Sequence, residues 1–177
     1  LTDLTRELEA GRAAMLCTVT DSRGSVPRGT GARMLVLEGG EALGTIGGGN
    51  VEFEAQLLAA RLLERGDSAQ RRFRFVQGDA ASLGMVCGGD VTVQFQYLPP
   101  EDPRAIAVLR DLMESFAGTL DTWLVLSIRG DSAAAMGAAD RNGARHLASP
   151  PENLSSLLRN RPVLDSGWLA IPVVRAG

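Results

Sequence analysis

Gly44-Thr45-Ile46-Gly47-Gly48-Gly49-Asn50-Val51-Glu52 reads as a strand end, a glycine turn and the start of a helix. Three successive glycines permit φ > 0 and leave no Cβ to block a ligand. Asn50 suits the N-cap, and Glu52 suits the positive end of the helix dipole. Exposed N–H groups at such a helix start form an anion site. The same stretch also reads as a tight strand-to-helix turn with no ligand. It carries neither G-x-G-x-x-G nor G-x-x-x-x-G-K-[ST], so it names no ligand by itself.

Working backwards, Ala42–Ile46 is a strand, Glu38-Gly39-Gly40-Glu41 a hairpin turn and Met34–Leu37 the strand before it. Ser22–Arg33 is a loop rich in Gly, Ser and Arg. Ala14–Val19 is a strand apolar enough to be buried on both faces. Leu1–Gly11 is a short amphipathic helix, with Leu4 and Leu8 at i, i+4. Working forwards, a helix over 51–65 carries the stripe Val51, Ala55, Leu58 and Leu62, and Gly66 stops it. Arg72-Phe73-Arg74-Phe75 alternates. Val91, Val93, Phe95 and Tyr97 alternate with Thr92, Gln94 and Gln96, the pattern of a half-buried strand. Asp102 caps a helix with Pro103 at its first position and the stripe Ile106, Leu109, Met113 and Phe116. Strands follow at 123–128, 134–139, 145–148 and 168–174, with Arg141-Asn142-Gly143 as a hairpin turn and a short helix ending at Leu158.

The expected fold class is α+β: a mixed β-sheet with packed helices over 1–98, a Pro-rich linker and helix over 99–118, and a smaller β-rich segment over 119–177. At 177 residues, 45% hydrophobic and 22% charged, the chain fits a globular protein. A net charge of -3 argues against bulk binding to nucleic acid, and no apolar run is long enough for a membrane span. All 18 basic residues are Arg, which removes Schiff-base and P-loop lysines. The single histidine, His146, removes a multi-His metal site and reads as an incidental surface residue. With no secretion signal, Cys17 and Cys87 are expected as thiols.

Three features share a composition: the Ser25–Arg33 loop, the triple glycine, and Cys87-Gly88-Gly89. Each sits at a strand end. Arg28 and Arg33 suit planar recognition of phosphate or carboxylate, or equally serve as solvated charges. Ser25 adds a hydroxyl or merely turns the chain. Cys17 lies in a strand pattern and reads as a small core hydrophobe. Cys87, beside exposed backbone N–H groups, is either a thiolate or a plain thiol. Glu52 and Glu54, at i, i+2, do not share a helix face.

Gly24-Ser25-Val26-Pro27-Arg28, Gly31-Ala32-Arg33-Met34, Gly44–Gly49 with Val51-Glu52, and Cys87-Gly88-Gly89 before a strand resemble the XdhC/CoxI family. The likeness is close over residues 1–98 and loose beyond. It implies an accessory protein, a maturation factor more than an enzyme, that binds molybdenum cofactor, assists its sulfuration and inserts it into a xanthine dehydrogenase-type hydroxylase. The implied partners are the apo-hydroxylase, a cysteine desulfurase and a second copy of the chain, in the cytoplasm. The implied cofactor-binding residues are Ser25, Arg28, Arg33, Gly47, Gly48, Gly49, Asn50, Glu52, Cys87, Gly88 and Gly89, with Cys87 as molybdenum ligand or sulfur carrier. Some family members carry Cys where Asn50 stands. In the family a Rossmann-type domain follows, where NAD(P) would bind. The chain stops about where that domain would begin and is expected to be a partial product. Rival readings are a nucleotide-binding oxidoreductase or sulfurtransferase whose catalytic half lies beyond Gly177, and a structural dimerisation domain.

Overall fold

The structure, a computed structural model, describes residues 1–75, 88–118, 121–128 and 135–173. The chain divides into two compact units, one of Arg12–Pro99 and one joining Leu1–Gly11 to the chain from Pro100 onward. Helix α1 (Thr2–Glu9) belongs to the latter.

The Arg12–Pro99 unit is a five-stranded sheet with one helix. Its strands are β1 (Ala14–Arg23), β2 (Arg33–Leu37), β3 (Ala42–Gly44), β4 (Ala69–Arg74) and β5 (Asp90–Leu98), in the order β3-β2-β1-β5-β4. Helix α2 (Gly49–Arg65) lies between β3 and β4 in the chain. The α+β class stands. The sheet expected to be mixed is antiparallel at every described pairing. Strand β1 is longer than its apolar run suggests. It continues through an irregularity between Val19 and Asp21 to Arg23, because β5 offers partners that far.

The core on one face joins Met15, Cys17, Val19, Met34, Val36, Phe73, Val91, Val93 and Phe95 to Val51, Ala55 and Ala59 of α2. Small residues on the helix let it approach the sheet closely, and Leu58 and Leu62 flank the contact half-buried. Burying one large apolar side chain fully stabilises by about 1.5–3 kcal/mol, so this layer is a major source of the unit's stability. Gly66, at φ 69°, ends α2 in the left-handed conformation. The alternating pattern of β5 is half right. Val91, Val93 and Phe95 face the core, but Gln94 and Gln96, read as outward, are buried as well.

In the other unit, α3 (Pro103–Ala117) starts at Asp102, whose carboxylate accepts from the Arg104 and Ala105 N–H groups. Its buried stripe is Ala105, Val108, Leu109 and Leu112, not the expected set around Leu109. Ile106 and Met113 flank that stripe half-buried, and Phe116 is exposed. Helix α1 packs on α3, where Thr5 Oγ1 meets Met113 Sδ at 3.9 Å.

The second sheet has the order β8-β7-β6-β10-β9. Its strands are β6 (Trp123–Ser127), β7 (Met136–Asp140), β8 (Gly143–Arg145), β9 (Val163–Asp165) and β10 (Trp168–Pro172). Val108 and Leu112 of α3 cover one face, over Leu124, Leu126, Ala138, Leu169 and Ile171. Leu157 of α4 (Leu154–Leu157) packs on the other with Trp123, Val125, Ala139 and Ala170. The Trp123 indole N–H donates to the Arg159 carbonyl at 2.7 Å. Pro172 closes β10 at its last position, where the missing N–H costs the ladder least.

Candidate functional site

The strand ends bring three glycine turns together. Arg23 of β1 pairs with Asp90 of β5, and Arg74 of β4 pairs with the same Asp90. Arg33, the first residue of β2, sits opposite Thr18, and Gly44, the last of β3, opposite Met34. The 24–32 connection, the 45–48 turn and the chain leaving Phe75 and returning at Gly88 therefore stand at one end of the sheet. Packing there is tight. The Phe75 N–H donates to the Gly89 carbonyl at 2.8 Å. A Cβ at Gly89 would lie 2.4 Å from the Arg23 carbonyl and 2.6 Å from that of Ser25. A Cβ at Gly47 would lie 3.3 Å from the Phe75 ring and 3.7 Å from Pro27. Gly48 and Gly49 have nothing within 4 Å of that position. The space beside their Cα atoms is open.

The triple glycine has φ values of 143°, 76° and 64°, all in the range that favours glycine. The N-cap is Gly48, not Asn50. Asn50 already stands in the first turn, where its side-chain amide donates to Glu54 at 2.9 Å. The N–H groups expected to hold an anion are largely taken by the chain's own carboxylate. Glu52 Oε2 accepts from the Ile46 N–H at 3.0 Å, from the Gly48 N–H at 3.0 Å and from the Thr45 hydroxyl. Thr45 Oγ1 in turn accepts from the Gly47 N–H at 3.1 Å. Partial burial works to raise the Glu52 pKa, but the Thr45 hydroxyl and the Gly48, Ile46 and Gly47 amides outweigh it and hold the carboxyl below its usual value.

Ser25, Arg28, Gly49, Asn50 and Gly88 are exposed, Gly47 and Gly48 half-buried, and Gly89 buried. The two arginines expected to act together differ in setting. Arg28 lies on the exposed loop, whereas Arg33 is built into the sheet and its Nη1 is buried without a hydrogen-bond partner. Burial lowers the Arg33 pKa. Cys87 lies outside the described residues. Cys17 is fully buried, and burial pushes its thiol far above the ordinary range, as a core residue requires. Among the described residues no group of three or more His, Cys, Asp or Glu is placed to hold a metal ion.

Sequence reasoning missed Thr45, Phe75 and Gln94. Thr45 was legible as a hydroxyl two residues ahead of a glycine turn. Gln94 was hidden by an alternation that appeared to point it at water. His146 is exposed, as expected, and it has a partner. It sits at φ 62°, with Nε2 3.0 Å from Asp111 of α3, where Arg145 also binds through two nitrogens at 2.7 and 3.0 Å.

These features define an α+β protein with a glycine-lined end to its first sheet. Residues 7–75 match the model of the XdhC and CoxI family. It is 33% identical over 106 residues to the molybdenum cofactor insertion chaperone PaoD of Escherichia coli (strain K12), covering 59% of this chain and 32% of that protein. It is 36% identical over 78 residues to the uncharacterized protein YqeB of Escherichia coli (strain K12), covering 44% of this chain and 14% of that one. A crystal structure of a xanthine dehydrogenase from Bacillus halodurans superposes with a TM-score of 0.69 at 20% identity, over 96% of this chain and 51% of that one. That likeness shows the fold. The chain thus spans about a third or less of these curated relatives and about half of the solved chain. Among the described residues no helix is long and apolar enough to cross a membrane.

Proposed function

We propose that this chain is part of an accessory protein that binds molybdenum cofactor, assists its sulfuration and passes it to a xanthine dehydrogenase-type apo-hydroxylase. The observation that carries this reading is the meeting of three glycine turns at one sheet end, within and next to the segment that matches the family. The similarity to a molybdenum cofactor insertion chaperone supports the choice of cofactor. In this reading Gly47, Gly48 and Gly49 let the pterin approach the backbone. Ser25, Arg28, Arg33 and Asn50 supply polar recognition, Gly88 and Gly89 border the site, and Cys87 is molybdenum ligand or sulfur carrier. Glu52 supports the turn from behind and leaves the ligand to its neighbours. A cysteine desulfurase, a second copy of the chain and a cytoplasmic setting complete the proposal, and any NAD(P) chemistry belongs to a further domain.

The occupied N–H groups favour one rival, in which the glycines serve the turn alone. Anaerobic gel filtration with cofactor freshly released from a denatured molybdenum hydroxylase decides between them. Co-eluting molybdenum and oxidised-pterin fluorescence, both lost in Cys87→Ser, are the expected result. No retained pterin under these conditions overturns the cofactor reading.

A further inference from the structure

The second face of the first sheet, opposite α2, carries a row of polar residues of which the cofactor reading uses only Arg33. The register places Arg33 of β2 beside Thr18 of β1, Thr18 beside Gln94 of β5, and Gln94 beside Gln70 of β4. Directly paired residues point to the same face, and Met34, Cys17 and Phe95 next to them point into the α2 core. Thr18 and Gln94 are each 1% exposed, while Gln70 at the end of the row is exposed.

Two members of this row lack partners. Gln94 is buried with neither its amide nitrogen nor its amide oxygen hydrogen-bonded, and Arg33 Nη1 is buried without an acceptor. No carboxylate pairs with Arg33 among the described residues. An unpaired buried amide or guanidinium is costly, and native proteins rarely leave one in place without a use. Adjacent strands are about 4.8 Å apart, so an Arg and a Gln two strands apart can both reach a small group seated over the residue between them.

We infer that Arg33, Thr18 and Gln94 form a recognition site for a phosphate group that keeps a proton. The unmet needs identify the ligand. The guanidinium and the Gln94 amide nitrogen are donors and require oxygen acceptors, with Arg contributing its planar fork. The Gln94 amide oxygen is an acceptor and requires a donor, which a protonated phosphate supplies and sulfate does not. This deepens the cofactor reading by taking Arg33 from it, since a pterin cofactor bears a phosphate, and it adds Thr18 and Gln94. It separates Arg33 from the exposed Arg28.

The test uses inorganic phosphate and sulfate as probes, read by calorimetry on the full chain at pH 7 without any pterin. Phosphate is expected to bind, and sulfate at least tenfold more weakly. Arg33→Met and Gln94→Leu should each weaken phosphate at least tenfold, while Arg61→Ala, on the exposed side of α2, leaves it unchanged. Gln94→Glu is a second variant that keeps the polar site and places a carboxylate where the phosphate sits. It should remain folded by circular dichroism and lose phosphate. No phosphate binding by the native chain at 50 mM, roughly the weakest affinity a built site should show, overturns the inference. So does equal binding of phosphate and sulfate, or binding that survives both Arg33→Met and Gln94→Glu. Loss of pterin retention with phosphate binding intact would overturn the cofactor reading and leave this site standing.

Discussion

Replacing Glu52 tests the account of the glycine turn most directly. Its Oε2 atom accepts from two backbone N–H groups and one hydroxyl, and one of those amides belongs to Ile46, which is fully buried. A hydrogen bond to a charged group contributes about 1.5–3 kcal/mol, and an orphaned buried donor costs about 1–3 kcal/mol. The Gly48 amide is half-buried and can turn to water, so the sum is discounted. Glu52→Ala should therefore cost about 2–3 kcal/mol, and Glu52→Gln, which keeps a neutral acceptor, about 1–2 kcal/mol. Urea unfolding followed by tryptophan fluorescence and far-UV circular dichroism measures both. The pH dependence supplies a second reading. The Glu52 pKa is lowered on folding, so its contribution is complete above the ordinary glutamate value and fades as pH falls through the folded value. The gap between the native chain and Glu52→Gln should be widest near neutral pH and close in acid. A gap under about 0.3 kcal/mol at pH 7, or one that stays constant down to pH 3, would mean that Glu52 does not hold the turn, since surface substitutions alone fall within about 0.5 kcal/mol.

Gly89→Ala should destabilise by about 2 kcal/mol or more, because its Cβ would press on two carbonyls and on Val26 Cγ1. Gly88→Ala, with open space around it, should stay within about 0.5 kcal/mol in the same urea titration. Cys17 should resist a thiol reagent until the chain unfolds, as read by peptide mapping, and Cys17→Ala should cost about 1 kcal/mol by leaving a small void. Asp111→Asn should cost about 2 kcal/mol at pH 7 by weakening the Arg145 fork and the His146 contact. The Arg145 hydrogen bonds lower the Asp111 pKa, so this penalty is present above the ordinary aspartate range and vanishes in acid, where urea midpoints of variant and native chain should meet.

Elements with a local cause were legible. The Asp102-Pro103 start of α3 and the Gly66 stop of α2 follow from capping chemistry that needs no tertiary partner. What depends on distant residues was not. β1 reaches Arg23 because β5 lies alongside it, and Ser22-Arg23 alone reads as loop. The α3 stripe was misplaced by weighting Ile106, Met113 and Phe116 for size, while the second sheet takes Val108 and Leu112 against it. β9 escaped because three residues before Ser166-Gly167 carry too little pattern. At the site, the glycine motif was plain, but Glu52 was read as a dipole partner when geometry makes it the acceptor at the centre of the turn. Gln94 shows the same limit. Its two-residue period is real, and only the folded structure shows that the polar positions Gln94 and Gln96 are buried as well.

The Glu52 carboxylate has a consequence for binding rates as well as stability. A glycine triplet free in solution samples many backbone conformations, and a ligand that selected one would bear the entropy of that choice. Here the chain makes the selection during folding, with an acceptor that is covalently present and never dissociates. A molecule arriving at Gly48 and Gly49 meets a turn already in its final shape, so association approaches a rigid-body encounter without a slow rearrangement. Affinity differences between ligands at this turn should then appear in how fast they leave, and hardly at all in how fast they arrive.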